Sequence, residues 1–277
     1  MGKQMWSYSK LTSYHTCPYS WYLTYVQHKR AENNVYGILG GCIHNALERI
    51  FKGEIDIATA KEEWITEFEM CELLDYKFPT EKAKENYFNS MIHCLDHWQP
   101  YPDDYKYLTE LHFVFEPIEG IRMQGYIDLV QIDEKNKTMR VIDYKTSSKF
   151  SKKDLETEKV FQLILYSMYL EEMYPDYTIL NACFEMLKYT KNKRNTIVDR
   201  NTVDDLLDDF DYKRCFIEVE YNDEMKEKLK TFITSTIDEI EKHDPDVEED
   251  WIPEKPNAFY CKNLCGHCND CVYAAKK

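Results

Sequence analysis

Two short runs of strand-forming residues each carry an aspartate. Asp128 lies within Gly125–Val130, and Asp143 lies within Val141–Thr146, where Lys145 follows two positions later. Because side chains alternate across a β-strand, Asp143 and Lys145 project from the same face. If the two strands pair, Asp128 approaches Asp143, and both carboxylates can share a hard divalent cation such as Mg²⁺. A cation held in this way beside a lysine is suited to phosphodiester hydrolysis.

The same spacing has a second interpretation, in which Asp143 and Lys145 form a solvated pair on an exposed strand. Such a pair contributes less than about 1 kcal/mol. The neighbours Ile127, Val141 and Ile142 mark both strands as parts of the core, where a charge without a partner is costly. The context therefore favours a functional site.

The elements that position these residues follow from the spacing of apolar side chains. Helical spacing over Leu11–Val26 is interrupted at Cys17-Pro18, which is compatible with one helix or with two short ones. The glycine cluster Gly37–Gly41 leads into a helix over Ile43–Phe51, with His44 at its start. Helical spacing continues over Ala58–Met70 and Glu81–Trp98.

From about residue 108 the apolar residues alternate, which is typical of strands. Strands are predicted over Leu111–Phe115, Arg122–Gln131, Met139–Lys145, Leu180–Leu187 and Phe216–Tyr221. The polar run Asp133–Lys137 predicts a hairpin turn, Val160–Tyr174 and Asp223–His243 predict helices, and Pro245–Pro256 predicts a linker. This order predicts a mixed α/β fold, with a helical region at 1–107, a core at 108–222 and a C-terminal helix with a Cys-rich segment at 223–277.

The charge of the chain is concentrated in one region. Its 35 Lys and Arg against 50 Asp and Glu give a net charge of −15, which argues against a protein that holds duplex DNA mainly by a basic surface. Residues 201–250 account for −12 of that charge, and the rest of the chain carries only −3. No apolar run approaches the roughly 18 residues of a membrane span, and Met1–Lys10 lacks the apolar core of a signal peptide. We therefore expect a cytoplasmic protein without membrane contact.

Four of the ten cysteines lie close together near the C-terminus. They are Cys261, Cys265, Cys268 and Cys271. Thiolates at such short spacing indicate a metal site, either four local ligands on Zn²⁺ or three ligands joined by a distant cysteine on an iron–sulfur cluster.

Four short motifs, taken in order, resemble those of the PD-(D/E)xK nucleases of the RecB and AddB type. They are Gly41-Cys42-Ile43-His44, Gly125-Tyr126-Ile127-Asp128, Ile142-Asp143-Tyr144-Lys145-Thr146, and Gln162 with Tyr166 four positions later. The resemblance extends from about residue 7 to 271. It implies a restriction-endonuclease-like mixed β-sheet core flanked by helices. It also implies that His44, Asp128 and Asp143 bind Mg²⁺ or Mn²⁺, that Lys145 is the catalytic lysine, and that Gln162 and Tyr166 orient substrate or Lys145.

The segment Leu11–Trp21 resembles the N-terminal segment of the iron–sulfur members of these nucleases. In those members one N-terminal cysteine and three C-terminal cysteines hold a [4Fe–4S] cluster, commonly with C-terminal spacing Cys-x2-Cys-x5-Cys. The resemblance implies Cys17 as the N-terminal ligand, although the C-terminal spacing differs. Cys261, Cys265 and Cys271 give x3 and x5 and are the preferred set, with Cys268 as the alternative ligand. The cluster would join the two chain ends and have a structural role.

Several other polar residues are candidates for metal or substrate binding. Lysines and an arginine after two strands are candidate phosphate contacts, or else solvated loop residues: Lys149, Lys152, Lys153, Lys191, Lys193 and Arg194. Glu110 is a possible further ligand, although a solvated acid is favoured there. His93 and His97 have metal-pair spacing, but no acidic motif follows them, and we interpret them as ordinary helix-face residues.

Together these features predict a metal-dependent DNA nuclease, acting as an exonuclease on single strands or duplex ends. The resemblance to RecB and AddB nucleases implies recombination, repair or phage DNA metabolism, in a bacterial or phage-infected host cell. The alternative is a non-catalytic nucleic-acid-binding or scaffold subunit with a structural iron–sulfur or zinc site. The sequence has no helicase phosphate-binding loop, so a separate helicase or recombination protein would supply unwinding.

Overall fold

The computed structural model describes residues 4–203, 210–253, 255–269, 271 and 273. Within them the strands are β1 (Met5–Ser7), β2 (Lys106–Ile118), β3 (Ile121–Asp133), β4 (Thr138–Lys145), β5 (Thr178–Asn192), β6 (Ile197–Asp199) and β7 (Phe210–Val219). They form one mixed sheet. β3 pairs antiparallel with β2 and β4, β4 pairs parallel with β5, and β5 pairs antiparallel with β6 and β7. β1 lies parallel to the first residues of β3.

Helices cover both faces of this sheet. They are α1 (Tyr8–Thr16), α2 (Pro18–Tyr25), α3 (Val35–Phe51), α4 (Ile57–Leu73), α5 (Glu81–Asp96), α6 (Phe161–Met173), α7 (Asp223–Glu241) and α8 (Ala258–Asn263). Residues of α1, α2, α6 and α7 share one hydrophobic core with the sheet, and residues of α3, α4 and α5 share a second core on the other face. The predicted mixed α/β fold flanked by helices is therefore confirmed. No helix in the described ranges is long and apolar enough to cross a membrane.

The predicted hairpin between the two aspartate-bearing strands is confirmed. Asp133 closes its turn by accepting two backbone N–H hydrogen bonds from within the turn. The register pairs Leu129 of β3 with Ile142 of β4. The next positions along the two strands, Asp128 and Asp143, are therefore neighbours.

The alternation of buried residues along β3 changes phase beside Asp128. Ile127 and Val130 belong to the core that contains α6, whereas Leu129 belongs to the core that contains α3. Strict alternation would place Ile127 and Leu129 on the same face, so the strand changes phase between them. On the paired strand β2, Glu110 has a φ of 46°. Asp128 consequently lies where side chains from both faces of the sheet can meet.

The prediction that His44 starts a helix is wrong. The side chain of Asn34 caps α3 by accepting a hydrogen bond from the Gly37 N–H at 3.0 Å, so the helix begins before the glycine cluster. His44 therefore lies in the middle of α3. A Cβ atom at Gly40 would be 3.5 Å from Thr146 Oγ1, which shows how closely α3 packs against the end of β4.

The N-terminal helical segment divides into two helices at Cys17, as one of the two predicted possibilities. Cys17 ends α1 and also caps α2, because its thiol accepts a hydrogen bond from the Ser20 N–H at 3.4 Å.

The prediction of a linker over Pro245–Pro256 is wrong in its middle, where Glu248–Trp251 forms a 3₁₀ turn. Trp251 is buried there and stacks on Trp21 at 5.2 Å between ring centroids.

Candidate active site

Three carboxylates lie side by side across β2, β3 and β4. On β2 and β3, Thr109 pairs with Leu129 and Leu111 pairs with Ile127, which places Glu110 opposite Asp128. The hairpin of β3 and β4 places Asp143 on the other side of Asp128. Three consecutive, paired strands therefore each contribute one acid to the same region.

His44, Glu110 and Asp128 form a group that could hold a metal ion. Each offers one ligand atom, and these atoms all lie within 4.8 Å of one another. His44 Nδ1 is 3.5 Å from Asp128 Oδ2, and that oxygen also accepts a hydrogen bond from the Tyr144 N–H at 2.7 Å. Oxygen and imidazole donors at this spacing suit a hard divalent cation.

Burial and the charge of Asp128 shift the pKa values of the other two members of this group. Burial and the charge of Asp128 raise the pKa of Glu110. Burial alone would lower the pKa of His44, but the Asp128 carboxylate outweighs burial and raises it. The charge of the Asp128 carboxylate thus contributes to both shifts.

The sequence favours a solvated acid at Glu110 over a further metal ligand, and the structure brings this residue into the candidate site. Glu110 is half-buried and belongs to the metal-capable group, and it has a left-handed backbone conformation within a strand. That conformation costs of order 1–3 kcal/mol for a residue other than glycine, and such strain is concentrated at functional sites. The sequence identifies Glu110 as a candidate ligand, and the register between β2 and β3 places it opposite Asp128.

Asp143 is the most deeply buried acid of the site, with 1% of its surface exposed. Burial raises its pKa to about 6, with the charge of Lys145 opposing the rise and that of Asp128 adding to it. Lys145 Nζ is 2.6 Å from Asp143 Oδ2, so the two groups form a close ion pair.

A chain of hydrogen bonds holds Lys145 from the side of α6. Lys145 Nζ donates to Gln162 Oε1 at 3.1 Å, and Gln162 Nε2 donates to Tyr166 Oη at 2.6 Å. Gln162 and Tyr166 lie one helical turn apart and therefore share a face. Burial and the charges of Asp143 and Asp128 raise the pKa of Tyr166, so it remains a neutral phenol.

An open cavity of about 510 Å³ gives access to this group. It is lined by Gly40, Gly41, His44, Asn45, Glu48, Glu110 and Asp128. A larger cavity of about 570 Å³ lies elsewhere, beside Tyr101 and Arg214. Because the second cavity contains none of the predicted site residues, the first is the one that matters for the chemistry.

The predicted cationic residues flank the end of the site at which Lys145 lies. Lys149, Lys152 and Lys153 are exposed in the loop after β4, and the Lys149 N–H donates to Tyr189 Oη at 3.1 Å. Lys191 lies near the end of β5, and Lys193 and Arg194 are exposed in the following turn. Since β4 and β5 are parallel, both groups extend beyond the same edge of the sheet.

The two histidines with metal-pair spacing lie outside this site. His93 is buried rather than on an exposed helix face, and its Nδ1 is 3.0 Å from Arg200 Nη1. His93 and His97 stack at 4.2 Å. Their environment is therefore a packed polar network between α5 and the turn after β6.

The C-terminal Cys-rich segment packs against α2 and the loop after it. Gly266 O accepts a hydrogen bond from the Glu32 N–H at 2.8 Å, and a Cβ atom at Gly266 would overlap the backbone of Glu32. Cys265 Sγ lies 3.9 Å from Ser20 Oγ. Burial raises the pKa of Cys17, and the nearby Cys265 and Cys261 thiols add to the rise. Ser20 therefore contacts both Cys17 and Cys265.

No curated protein matches this chain. The family model of the PD-(D/E)XK nuclease superfamily matches residues 5–275. This range covers nearly the whole chain and includes every residue of the site described above. The chain therefore belongs to the PD-(D/E)XK nuclease superfamily.

Proposed function

We propose that this protein is a metal-dependent deoxyribonuclease that hydrolyses phosphodiester bonds. The observation that carries the proposal is the grouping of His44, Glu110 and Asp128 at an open cavity. The Asp143–Lys145 ion pair lies on the strand paired with that of Asp128. Members of the superfamily are nucleases, and this chain retains the acids and the lysine that such chemistry needs.

The proposed roles divide between a metal-binding side and a lysine side. His44, Glu110 and Asp128 would hold Mg²⁺ or Mn²⁺, with the buried Asp143 as a further oxygen donor. A divalent cation here would neutralise charge on the phosphate and polarise water. Lys145 would stabilise negative charge on the reacting phosphate, because its ammonium group is fixed between Asp143 and Gln162.

The substrate proposed is single-stranded DNA or a duplex end, degraded exonucleolytically as the RecB and AddB resemblance implies. Lys149, Lys152, Lys153, Lys191, Lys193 and Arg194 would contact phosphates. The net charge of −15 supports weak binding that depends on the metal. A separate helicase or recombination protein would then supply unwound substrate.

Degradation of end-labelled single- and double-stranded DNA with Mn²⁺ tests this proposal. Asp143→Ala and Lys145→Ala should abolish cleavage, and EDTA should do the same to the parent protein. Lys228→Ala, which removes an exposed ion pair on α7, is the matched control and should cleave like the parent. Equal cleavage by Asp143→Ala and the parent contradicts the proposal, and DNA binding without cleavage by the parent would favour a non-catalytic subunit.

We also propose a structural [4Fe–4S] cluster held by Cys17, Cys261, Cys265 and Cys271. The RecB-like resemblance on which the cluster is based also implies a role in repair, recombination or phage DNA metabolism. The contacts of Ser20 with both Cys17 and Cys265 support the cluster, as does the packing of Cys17 and Cys271 against the same core. Anaerobically purified protein should be brown and contain iron and sulfide. Cys271→Ser should lose the iron, whereas Cys268→Ser should keep it. Stoichiometric zinc without iron would contradict the cluster.

A further inference from the structure

An exposed aromatic pair lies one step along the sheet from the candidate metal ligands. Tyr126 of β3 pairs with His112 of β2, and their rings lie 4.8 Å apart at an angle of 43°. Tyr126 is 56% exposed although it is flanked by core residues. Among the tyrosines of the described ranges, Tyr25 at 36% is the nearest in exposure, so an open tyrosine ring is unusual in this protein.

The pair faces the same side of the sheet as the cavity. Met123 and Ile127 on β3 are buried in the core that contains α6. Because side chains alternate along a strand, Tyr126 between them projects to the opposite side, where α3 carries His44. His112 is exposed as well, so no helix within the described residues covers the pair there.

The distance between the aromatic pair and the candidate metal ligands would allow one ligand to contact both. Tyr126 and Asp128 are two residues apart, which is roughly 7 Å along a strand. His112 and Glu110 have the same separation on β2. A nucleic acid strand with one phosphate at the carboxylates would therefore place its adjacent nucleotide over the aromatic pair.

The row of exposed residues continues beyond the aromatic pair in the same direction. Gln124 and Arg122 follow on β3 at alternate positions, and both are exposed. Their side chains are an amide, which hydrogen-bonds bases, and a guanidinium, which binds phosphate. The order from the cavity outward is thus carboxylates, aromatic rings, amide and guanidinium.

We infer that Tyr126 and His112 form a stacking platform for the base of the nucleotide next to the cleaved phosphate. This inference rests on the proposed function and deepens it, because it specifies the substrate. An aromatic platform needs an unpaired base whose face is free, and stacking of this kind tolerates every base. The substrate at the site is therefore a single strand or an unwound end, without sequence preference.

Binding of a fluorescein-labelled oligothymidine with Mn²⁺, in the Asp143→Ala background, tests the platform without cleavage. Tyr126→Ala should weaken binding roughly 5- to 150-fold, the factor for the loss of stacking by one base. Tyr126→Phe keeps the ring and should bind like the parent. Phe259→Ala is the matched control, because Phe259 is 57% exposed on the short helix α8.

An abasic residue moved along the oligonucleotide gives a second measurement. At the position whose base stacks on Tyr126, the abasic site should weaken binding by the parent. It should leave binding by Tyr126→Ala unchanged, because that variant has already lost the stacking. Equal binding by Tyr126→Ala and the parent overturns the platform, as does an abasic effect that Tyr126→Ala retains at every position. A protein with intact Asp143 that does not cleave DNA contradicts the proposed function instead, whatever Tyr126 does to binding.

Discussion

Substitution of Gln162 tests whether this residue positions Lys145 for the reaction. Its amide accepts a hydrogen bond from Lys145 Nζ at 3.1 Å and donates one to Tyr166 at 2.6 Å. Gln162→Leu keeps the approximate shape of the side chain and removes both hydrogen bonds. Lys145 would then retain only Asp143 as a partner and could turn away from the reacting phosphate.

The magnitude follows from the hydrogen bond to a charged group, which is worth about 1.5–3 kcal/mol. Because the Lys145 side chain is 27% exposed, solvent screening favours the lower end of that range. About 1.5 kcal/mol corresponds to roughly a tenfold loss in kcat. KM should change little, since Gln162 positions Lys145 and does not line the cavity.

A double-mutant cycle separates positioning from a general loss of structure. Single-turnover cleavage with Mn²⁺ is measured for Gln162→Leu, Lys145→Ala and the double variant. In the absence of Lys145, Gln162→Leu should cost nothing further, because its partner is gone. A tenfold loss that persists in the Lys145→Ala background would refute the positioning role, and so would a Gln162→Leu protein as active as the parent.

Three further changes should have distinct effects. Asp128→Asn should reduce the rise in Tm that Mn²⁺ gives to the parent protein, because a ligand that binds the native state stabilises it by mass action; an unchanged rise, measured by thermal shift, would place the metal elsewhere. Arg214→Met should lower the free energy of unfolding in urea by about 3–5 kcal/mol, because it leaves the buried Glu185 without the guanidinium that lies 2.5 Å away, whereas Lys228→Ala should shift it by less than about 0.5 kcal/mol. Gly266→Ala should speed proteolysis of the C-terminal segment, since a Cβ atom there overlaps the Glu32 backbone; cleavage at the parent rate would show that the contact does not hold the segment.

The sequence alone predicted the part of the site that depends on local geometry. Alternation along β4 places Asp143 and Lys145 on one face, and a short turn fixes the register that brings Asp128 beside Asp143. The spacing of Gln162 and Tyr166 within one helix likewise determines that they meet. These relations span few residues, so the periods of strand and helix are enough to predict them.

Only the tertiary structure decided the relations that join distant segments. Glu110 enters the site through the register of β2 against β3 and a left-handed backbone at that residue. The helix α3 begins before the glycine cluster, so His44 lies in its middle. From that position the His44 side chain contacts Asp128. The change of phase in β3 at Asp128 also breaks the strand period from which a sequence would be interpreted. Such features depend on how whole elements pack against one another, and no local pattern of residue types encodes that packing.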